Sequence, residues 1–383
     1  MRLLICSTGL AGHFNPLVPF IEAARERGDE PFVVVPPSLA KEVEALGVEH
    51  YLSDPPDPAK SKELWRRAAR QSHANATRLL DGEFFGRLST EAMLSTVEAA
   101  CEKFKPDLIL REPCAYAGAI AARRHSIHHA QVAISTARTE WSVIGLVGSI
   151  LDDFEDGMEK VLRQTRYLSR MPTSLDPSPF PNTLRYREDV ESSPVEPGPW
   201  AHGSGPLIYL TFGSVAGGLD TAFSAFQRAI DAVTGLDARV LVTTGKGFNP
   251  KALGAVPPNV TVESWVPQES VFPFASMVLC HGGSGTTYGA LAAGLPIVFV
   301  PMFADQRTNA KLITVAGAGV VVDVGLKSEP GFRAIEATDV PRIRAAVKEV
   351  LAKSSYALAA QVIAEEIAST GSARDCLEEL FTS

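Results

Sequence analysis

The chain has 383 residues, which is room for two to three domains of ordinary size. Hydrophobic residues make up 45% and charged residues 21%, which excludes a disordered or fibrous chain. With 36 Lys and Arg against 44 Asp and Glu, the net charge of −8 argues against a dedicated nucleic-acid binder, which needs a basic face for phosphate.

In chain order, Leu3–Ser7 predicts a buried strand rather than a signal peptide, because no basic leader region or small-residue cleavage site accompanies it. Asn15–Arg27 has helical spacing and stops at Gly28, a suitable C-cap. Pro31–Val35 predicts a strand, and Ser38–Ala45 a short helix ending at Gly47. Further strands are expected at Leu108–Leu110, after the breaker Pro106, and at His129–Ile134. Strands alternating with helices indicate a parallel sheet covered on both faces. Residues 52–90, opened by Pro55, Pro56 and Pro58, break this rhythm, as do residues 135–180. After its prolines the first becomes a charged helical stretch, the second is irregular, and both are expected to be functional insertions.

Seven prolines between Met171 and Gly205 mark a linker. Leu207–Gly213 then repeats the opening pattern of Leu3–Gly9, a buried strand running into a Gly-containing loop. The expected architecture is α/β, with two doubly wound domains at 1–200 and 206–383. Their carboxyl strand ends would line a crevice, where ligands of such sheets bind. Helices are expected at Ser355–Ile367 and Ala373–Phe381, the last free to pack back on the first domain. Ser270–Ala304 lacks charged residues, but its glycines and prolines leave no room for a membrane-spanning helix. Five cysteines at wide spacing, with no CxxC, argue against disulfides or zinc and for a reducing cytoplasm.

The most informative segment is His281-Gly-Gly-Ser-Gly-Thr-Thr287. A strand ends at Cys280, small residues then leave the backbone open, and a helix starts near Gly285. Its positive end suits a diphosphate. His281 adds a hydrogen bond, and Ser284, Thr286 and Thr287 supply hydroxyls. Thr211 and Ser214 follow the first strand of the second domain and could reach phosphate, although a plain strand-to-helix turn explains them equally. Trp265 could stack on a base, with Val266 and Gln268 beside it; taken alone, a core Trp is the simpler reading. Asp305 and Gln306 offer acceptors and donors suited to sugar hydroxyls, or Asp305 simply caps the next helix. In the first domain His13 lies past a strand's carboxyl end. As a general base it needs a partner, and Glu112, past the end of another strand, is the best candidate. His125, His128 and His129 straddle a helix–strand junction, which makes a metal site there a poor expectation. No Asp-x-Asp is present to hold a metal against a diphosphate.

Taken together, His-Gly-Gly-Ser-Gly-Thr-Thr (281–287), Trp-Val-Pro-Gln (265–268), Asp-Gln (305–306), Thr-Phe-Gly-Ser (211–214) and Gly-His-Phe-Asn-Pro (12–16) resemble the family 1 glycosyltransferases of GT-B fold. The likeness is greatest to bacterial enzymes that glycosylate natural products. It implies that His13 deprotonates an acceptor hydroxyl and Glu112 orients it, with inversion at the sugar. It implies that Thr211, Ser214, Trp265, Val266, Gln268, His281, Gly283, Ser284, Gly285, Thr286, Asp305 and Gln306 hold a nucleotide-diphosphate sugar, the dTDP or UDP form. No metal and no cofactor are implied. The family binds its acceptor in segments corresponding to 52–90 and 135–180. Phe84 and Trp141 are the expected acceptor contacts, for a small hydrophobic natural product. A monomer or homodimer is expected. The sequence departs from the family at Glu112, where Asp is frequent, and at Gly289, where plant members carry a ribose-binding Glu.

Three other readings remain open to the sequence. A nicotinamide oxidoreductase would use Gly9 and Gly12, but the third glycine of its fingerprint is missing. A nucleotide-sugar epimerase can share the fold, and a non-catalytic homologue would bind the donor alone.

Overall fold

The computed structural model describes residues 1–188, 198–213, 222–245, 247–324 and 333–382. Its strands in chain order are β1 (Arg2–Cys6), β2 (Glu30–Val35), β3 (Glu49–Leu52), β4 (Leu108–Arg111), β5 (His128–Val132), β6 (Arg166–Ser169) and β7 (Thr183–Arg187). They continue with β8 (Leu207–Thr211), β9 (Arg239–Thr243), β10 (Val260–Glu263), β11 (Met277–Cys280), β12 (Ile297–Phe299), β13 (Gly319–Val321) and β14 (Gly371–Ser372). The chain divides into two compact units, residues 1–189 with 370–383, and residues 190–369.

The first unit carries a sheet ordered β14-β7-β6-β5-β4-β1-β2-β3, and the second a sheet ordered β10-β9-β8-β11-β12-β13. Every pairing between described strands is parallel. In both units the chain starts in the middle, winds to one edge and returns to wind to the other, the doubly wound arrangement of Rossmann-like domains. These are the two α/β domains of the GT-B fold. The central strands show why. Leu3, Leu4, Ile5 and Cys6 of β1 have no exposed surface, nor do Val278, Leu279 and Cys280 of β11. A strand apolar on both faces must be covered on both, which only crossover helices achieve. In the first unit, the helix Val18–Glu26 supplies Phe20, Ile21 and Ala24 to one such layer.

Some expectations hold and others are corrected. After its prolines, 52–90 is helical as expected, with helices Pro58–Ala68 and His73–Thr77 and a π-helical stretch Arg78–Ser89, which runs into the helix Thr90–Phe104. Of the prolines, Pro58 is a helix starter, while Pro55 and Pro56 precede the helix. Asp57 caps the first turn by accepting from the amides of Ala59 (2.9 Å) and Lys60 (3.0 Å), with Pro58 where no amide is needed. Residues 135–180 are likewise ordered, as helices Ala137–Leu151 and Met158–Gln164 and strand β6. Gly82 and Gly86 lie against Val147 and Ile150, so the two insertions pack on each other. The proline-rich stretch is not all linker, because it contains β7, which pairs with β6. The boundary between units falls at 189/190 rather than 200–206, and the helix Ala373–Thr382 belongs, as expected, to the first unit, where Ala373, Cys376 and Leu377 enter the core. Among the described residues no helix is long and apolar enough to cross a membrane. All five cysteines are buried and free.

Candidate active site

The first unit builds a proton-handling cluster at the carboxyl ends of two neighbouring strands. β1 and β4 pair with Cys6 opposite Arg111, so Thr8 and Glu112, just past these ends, fall side by side. His13 sits in a single helical turn, Ala11–Phe14, whose amides fold back on Leu10. Its Nδ1 lies 3.2 Å from Glu112 Oε2 and 3.0 Å from Thr8 Oγ1. Glu112 is fully buried, yet each of its oxygens has two donors. Oε1 accepts from the Thr8 amide (2.9 Å) and hydroxyl (2.8 Å). Oε2 accepts from the Cys114 amide (2.6 Å) and faces His13. A buried carboxylate is tolerable only when saturated in this way.

Burial opposes charge on both partners, and the pairing overrides it. Desolvation would raise the Glu112 carboxyl, but His13 and the Thr8 and Cys114 amides hold it below its ordinary range. Desolvation would lower His13, but the Glu112 carboxylate raises it. The His13 side chain keeps 14% of its surface exposed, so the ring remains reachable. Phe85 stacks on it at 5.2 Å between centroids.

Beneath this pair lies a second polar chain. The fully buried Arg111 donates to the carbonyls of Glu112 (3.1 Å) and Pro113 (3.2 Å), and to Gln131 Oε1 (2.7 Å). Gln131 Nε2 donates to Glu140 Oε2 (2.8 Å), whose other oxygen accepts from the amides of Ile134 and Ser135. Burial pushes the Glu140 carboxyl up to about 7, against hydrogen bonds that favour its anion.

The expected acceptor residues part company. Phe84 meets Phe85 at 4.9 Å and Trp65 at 5.8 Å, so three rings lead to His13. Trp141 instead packs edge-on to Phe180 (5.0 Å) under the Arg163 guanidinium (4.5 Å). It lines a depression of about 460 Å³ with Arg138, Pro177 and Pro179. Most of the rings also serve the core: Phe85 is buried, and Phe84, Trp141 and Phe154 pack against the same cluster.

His13, Glu112 and Cys114 offer ligand atoms within 4.8 Å of one another, and among the described residues they are the one group so placed. The arrangement does not suit a cation. Glu112 is already saturated by donors, and burial holds the Cys114 thiol far up in its protonated form. Of the other histidines, His129 bonds to Thr165 Oγ1 (2.9 Å) and is pushed down to about 3 by burial, a core role.

The second unit presents the glycine loop. β11 ends at Cys280, and the helix Ser284–Ala292 begins after Gly283 as N-cap. The first amides of this nine-residue helix have no partner within it and sit at its positive end. His281 is buried, and desolvation pushes it down to about 4, so it is neutral at pH 7. Two glycines make its seat. A Cβ at Gly283 would lie 2.6 Å from its Nε2, and one at Gly213, where φ is +74°, 2.9 Å from the same atom. At Gly285 a Cβ would meet nothing, so this stretch of backbone is open. Ser284 Oγ donates to Asp305 Oδ2 (3.1 Å), and Asn309 Nδ2 bonds the Gly282 carbonyl (3.0 Å) and Ser284 Oγ (3.2 Å). Asp305 makes no side-chain cap to its own helix. Its carboxylate is tied to the glycine loop instead.

Several expected donor contacts are engaged internally. Thr211 is buried, its hydroxyl accepting from the Gly213 amide (3.3 Å) and directed at the Thr243 carbonyl (3.4 Å), which is the turn-forming role. Gln306 is buried, its oxygen accepting from the amides of Met302 (2.9 Å) and Phe303 (3.1 Å). Thr286 is buried at 5% exposure, and Thr287 is wholly buried with an unpartnered hydroxyl. Trp265 is the reverse of a core residue: 55% of its surface is exposed. Val266 and Gln268 are half-buried beside it. Ser214 lies outside the described residues. A Cβ at Gly289 would lie 2.8 Å from the Phe272 ring, so a side chain at this position needs that ring to shift.

Thr8, Cys114 and Asn309 were not visible as site residues in the sequence. Asn309 had a faint signal, one helical turn after Asp305. Thr8 had only its place two residues past a strand.

Residues 227–382 match the erythromycin biosynthesis protein CIII-like C-terminal domain. The elloramycin glycosyltransferase of Streptomyces olivaceus is 28% identical over 413 aligned residues, covering 100% of this chain and 97% of its own. The solved calicheamicin glycosyltransferase CalG4 superposes with a TM-score of 0.80 at 22% identity, covering 100% of this chain and 97% of its own. The spinosyn rhamnosyltransferase SpnG, complexed with thymidine diphosphate, gives 0.77 at 21% identity, covering 99% and 100%. The chain has the GT-B fold of these solved glycosyltransferases, and the relatives it resembles are named as glycosyltransferases of antibiotic biosynthesis.

Proposed function

We propose that this chain is a glycosyltransferase that inverts the sugar's configuration, needs no metal, and moves a sugar from a nucleotide-diphosphate donor to a hydroxyl of a small apolar acceptor. The observation that carries this reading is the His13–Glu112 pair, a reachable imidazole backed by a saturated, buried carboxylate. His13 takes the acceptor's proton as the acceptor oxygen bonds to the anomeric carbon. The bond from that carbon to the diphosphate oxygen breaks, and its electron pair leaves with the nucleoside diphosphate. Attack opposite the leaving group inverts the centre. Glu112 stabilises the imidazolium without taking the proton.

The helix start at Ser284 and the neutral, donor-capable His281 offset the leaving diphosphate charge, a task otherwise given to a metal. Asp305 is half-buried at the loop and is the candidate sugar contact; Trp265 is the exposed ring for the base. We assign the donor as a dTDP or UDP sugar, since a structural neighbour was solved with thymidine diphosphate. The rings of Trp65, Phe84 and Phe85, leading to the base, favour a flat apolar acceptor over a sugar. The five free thiols fit a reducing cytoplasm.

The test is to incubate the protein with a panel of dTDP and UDP sugars and polyketide-like hydroxyl acceptors, with and without EDTA. The product's anomeric configuration is then read by NMR. An inverted product formed equally in EDTA is expected. Retention, or activity lost to EDTA and restored by Mg²⁺, would overturn the reading.

A further inference from the structure

The hydrogen bonds around His13 determine which of its nitrogens is free, and a residue outside the His–Glu pair decides it. Thr8 Oγ1 lies 2.8 Å from Glu112 Oε1 and 3.0 Å from His13 Nδ1, and the hydroxyl has one proton to give. Suppose it gave that proton to Nδ1. Oγ1 would then face Glu112 Oε1 lone pair to lone pair at 2.8 Å. The bare Nδ1 would face Glu112 Oε2 in the same way at 3.2 Å. Two repulsive contacts would be buried with no water to relieve them. With the proton directed to Glu112, Oγ1 accepts from Nδ1–H, and both contacts become attractive.

We propose that Thr8 is a positioning residue for His13, its hydroxyl locking the imidazole with the proton on Nδ1 so that Nε2 carries the free lone pair. This rests on His13 acting as the base of the transfer. Glu112 alone would favour the same tautomer through one hydrogen bond of 3.2 Å. Thr8 adds a shorter acceptor on the same proton, and it also fixes Glu112 through its amide (2.9 Å). The ring is thus gripped by Thr8, Glu112 and the stacked Phe85. The other neutral tautomer would present a protonated Nε2, which cannot take the acceptor's proton.

The test compares Thr8→Val, which keeps shape and loses the hydroxyl, with Thr8→Ser, which keeps the hydroxyl. Each protein carries ¹⁵N-labelled histidine, and the His13 signals are assigned by their absence in His13→Ala. Above the His13 titration, the unaltered protein should show one neutral tautomer with the proton on Nδ1, and Thr8→Val a mixture. In Thr8→Val, kcat should fall about 10-fold, the worth of one hydrogen bond, with both KM values within about twofold. Thr8→Ser should restore both the tautomer and kcat. Should Thr8→Val not fold, Thr8→Ala is read in the same way. A valine or alanine variant that keeps the single Nδ1–H tautomer, or that keeps full kcat, overturns the proposal. If the unaltered protein moves no sugar, the NMR result still decides what Thr8 does to the ring, and it is the base assignment that fails.

Discussion

Two histidines stand past strand ends in the two units, His13 after β1 and His281 after β11, and their surroundings drive them in opposite directions. Both lose hydration. His13 gains a carboxylate 3.2 Å from its ring and is raised above its ordinary value. His281 has no charged partner among its causes of shift and is pushed down to about 4. Its Nδ1 is buried with no partner among the described residues. Burial by itself makes a neutral imidazole; burial beside a carboxylate makes one that welcomes a proton. The first is suited to donating a hydrogen bond to an anion, the second to removing a proton from a hydroxyl.

The sharpest way to break this comparison is to remove His13. In His13→Ala, turnover should fall about 10²–10⁴-fold, the range for loss of a general base. The affinity for thymidine diphosphate, measured by calorimetry, should stay put, because the glycine loop belongs to the other unit. Parallel losses of turnover and nucleotide affinity would mean that the two histidines do not divide the work.

A smaller effect is expected from Gly283→Ala. The new methyl would sit 2.6 Å from His281 Nε2, so ring or loop must shift. Affinity for thymidine diphosphate should weaken roughly 10-fold, the cost of a modest overpacking clash, with His13 untouched. Unchanged affinity would remove His281 and its loop from the donor site.

The smallest effect is on stability, and its sign separates the two rings. The unfolded chain protonates His281 near its ordinary 6.5, the folded chain only near 4. Its stabilising contribution is therefore complete above pH 6.5 and is lost as pH falls through the window from 6.5 to 4. The slope is at most about 1.4 kcal/mol per pH unit. His13, raised on folding, works the other way: its contribution is complete below 6.5 and is lost as pH rises through the folded value. His281→Asn should flatten the fall in urea-unfolding stability between pH 6.5 and 5, while His13→Asn should remove the loss of stability that sets in as pH rises above 6.5. His129, pushed down to about 3, contributes the same sign as His281 and remains in both variants. Equal slopes in all three proteins would contradict the assignment.

The sequence by itself determined the elements whose signal is local. Continuous apolar runs such as Leu3–Cys6 and Met277–Cys280 can only be strands covered on both faces, and strands alternating with helices dictate parallel sheets. The glycine loop at 281–285 was legible because chemistry, turn and helix start are contiguous there. His13 and Glu112 could be paired only by reasoning that both follow strands, since 99 residues separate them. Other features were invisible to local reading. The start of the first insertion looked irregular because prolines break structure everywhere except at a helix start, and Asp57 turns Pro58 into one. Trp265 looked like core because a tryptophan's large apolar surface favours burial, and only the packing of its neighbours leaves it exposed. Thr211 and Gln306 looked like ligand contacts because a hydroxyl or an amide carries no mark of where its hydrogen bonds go. The role of Thr8 lay furthest from view. It depends on four atoms from residues 8, 13 and 112 meeting within about 3 Å, the range over which a single proton must choose its acceptor. A one-dimensional pattern carries no such distances; the register of β1 against β4 creates them.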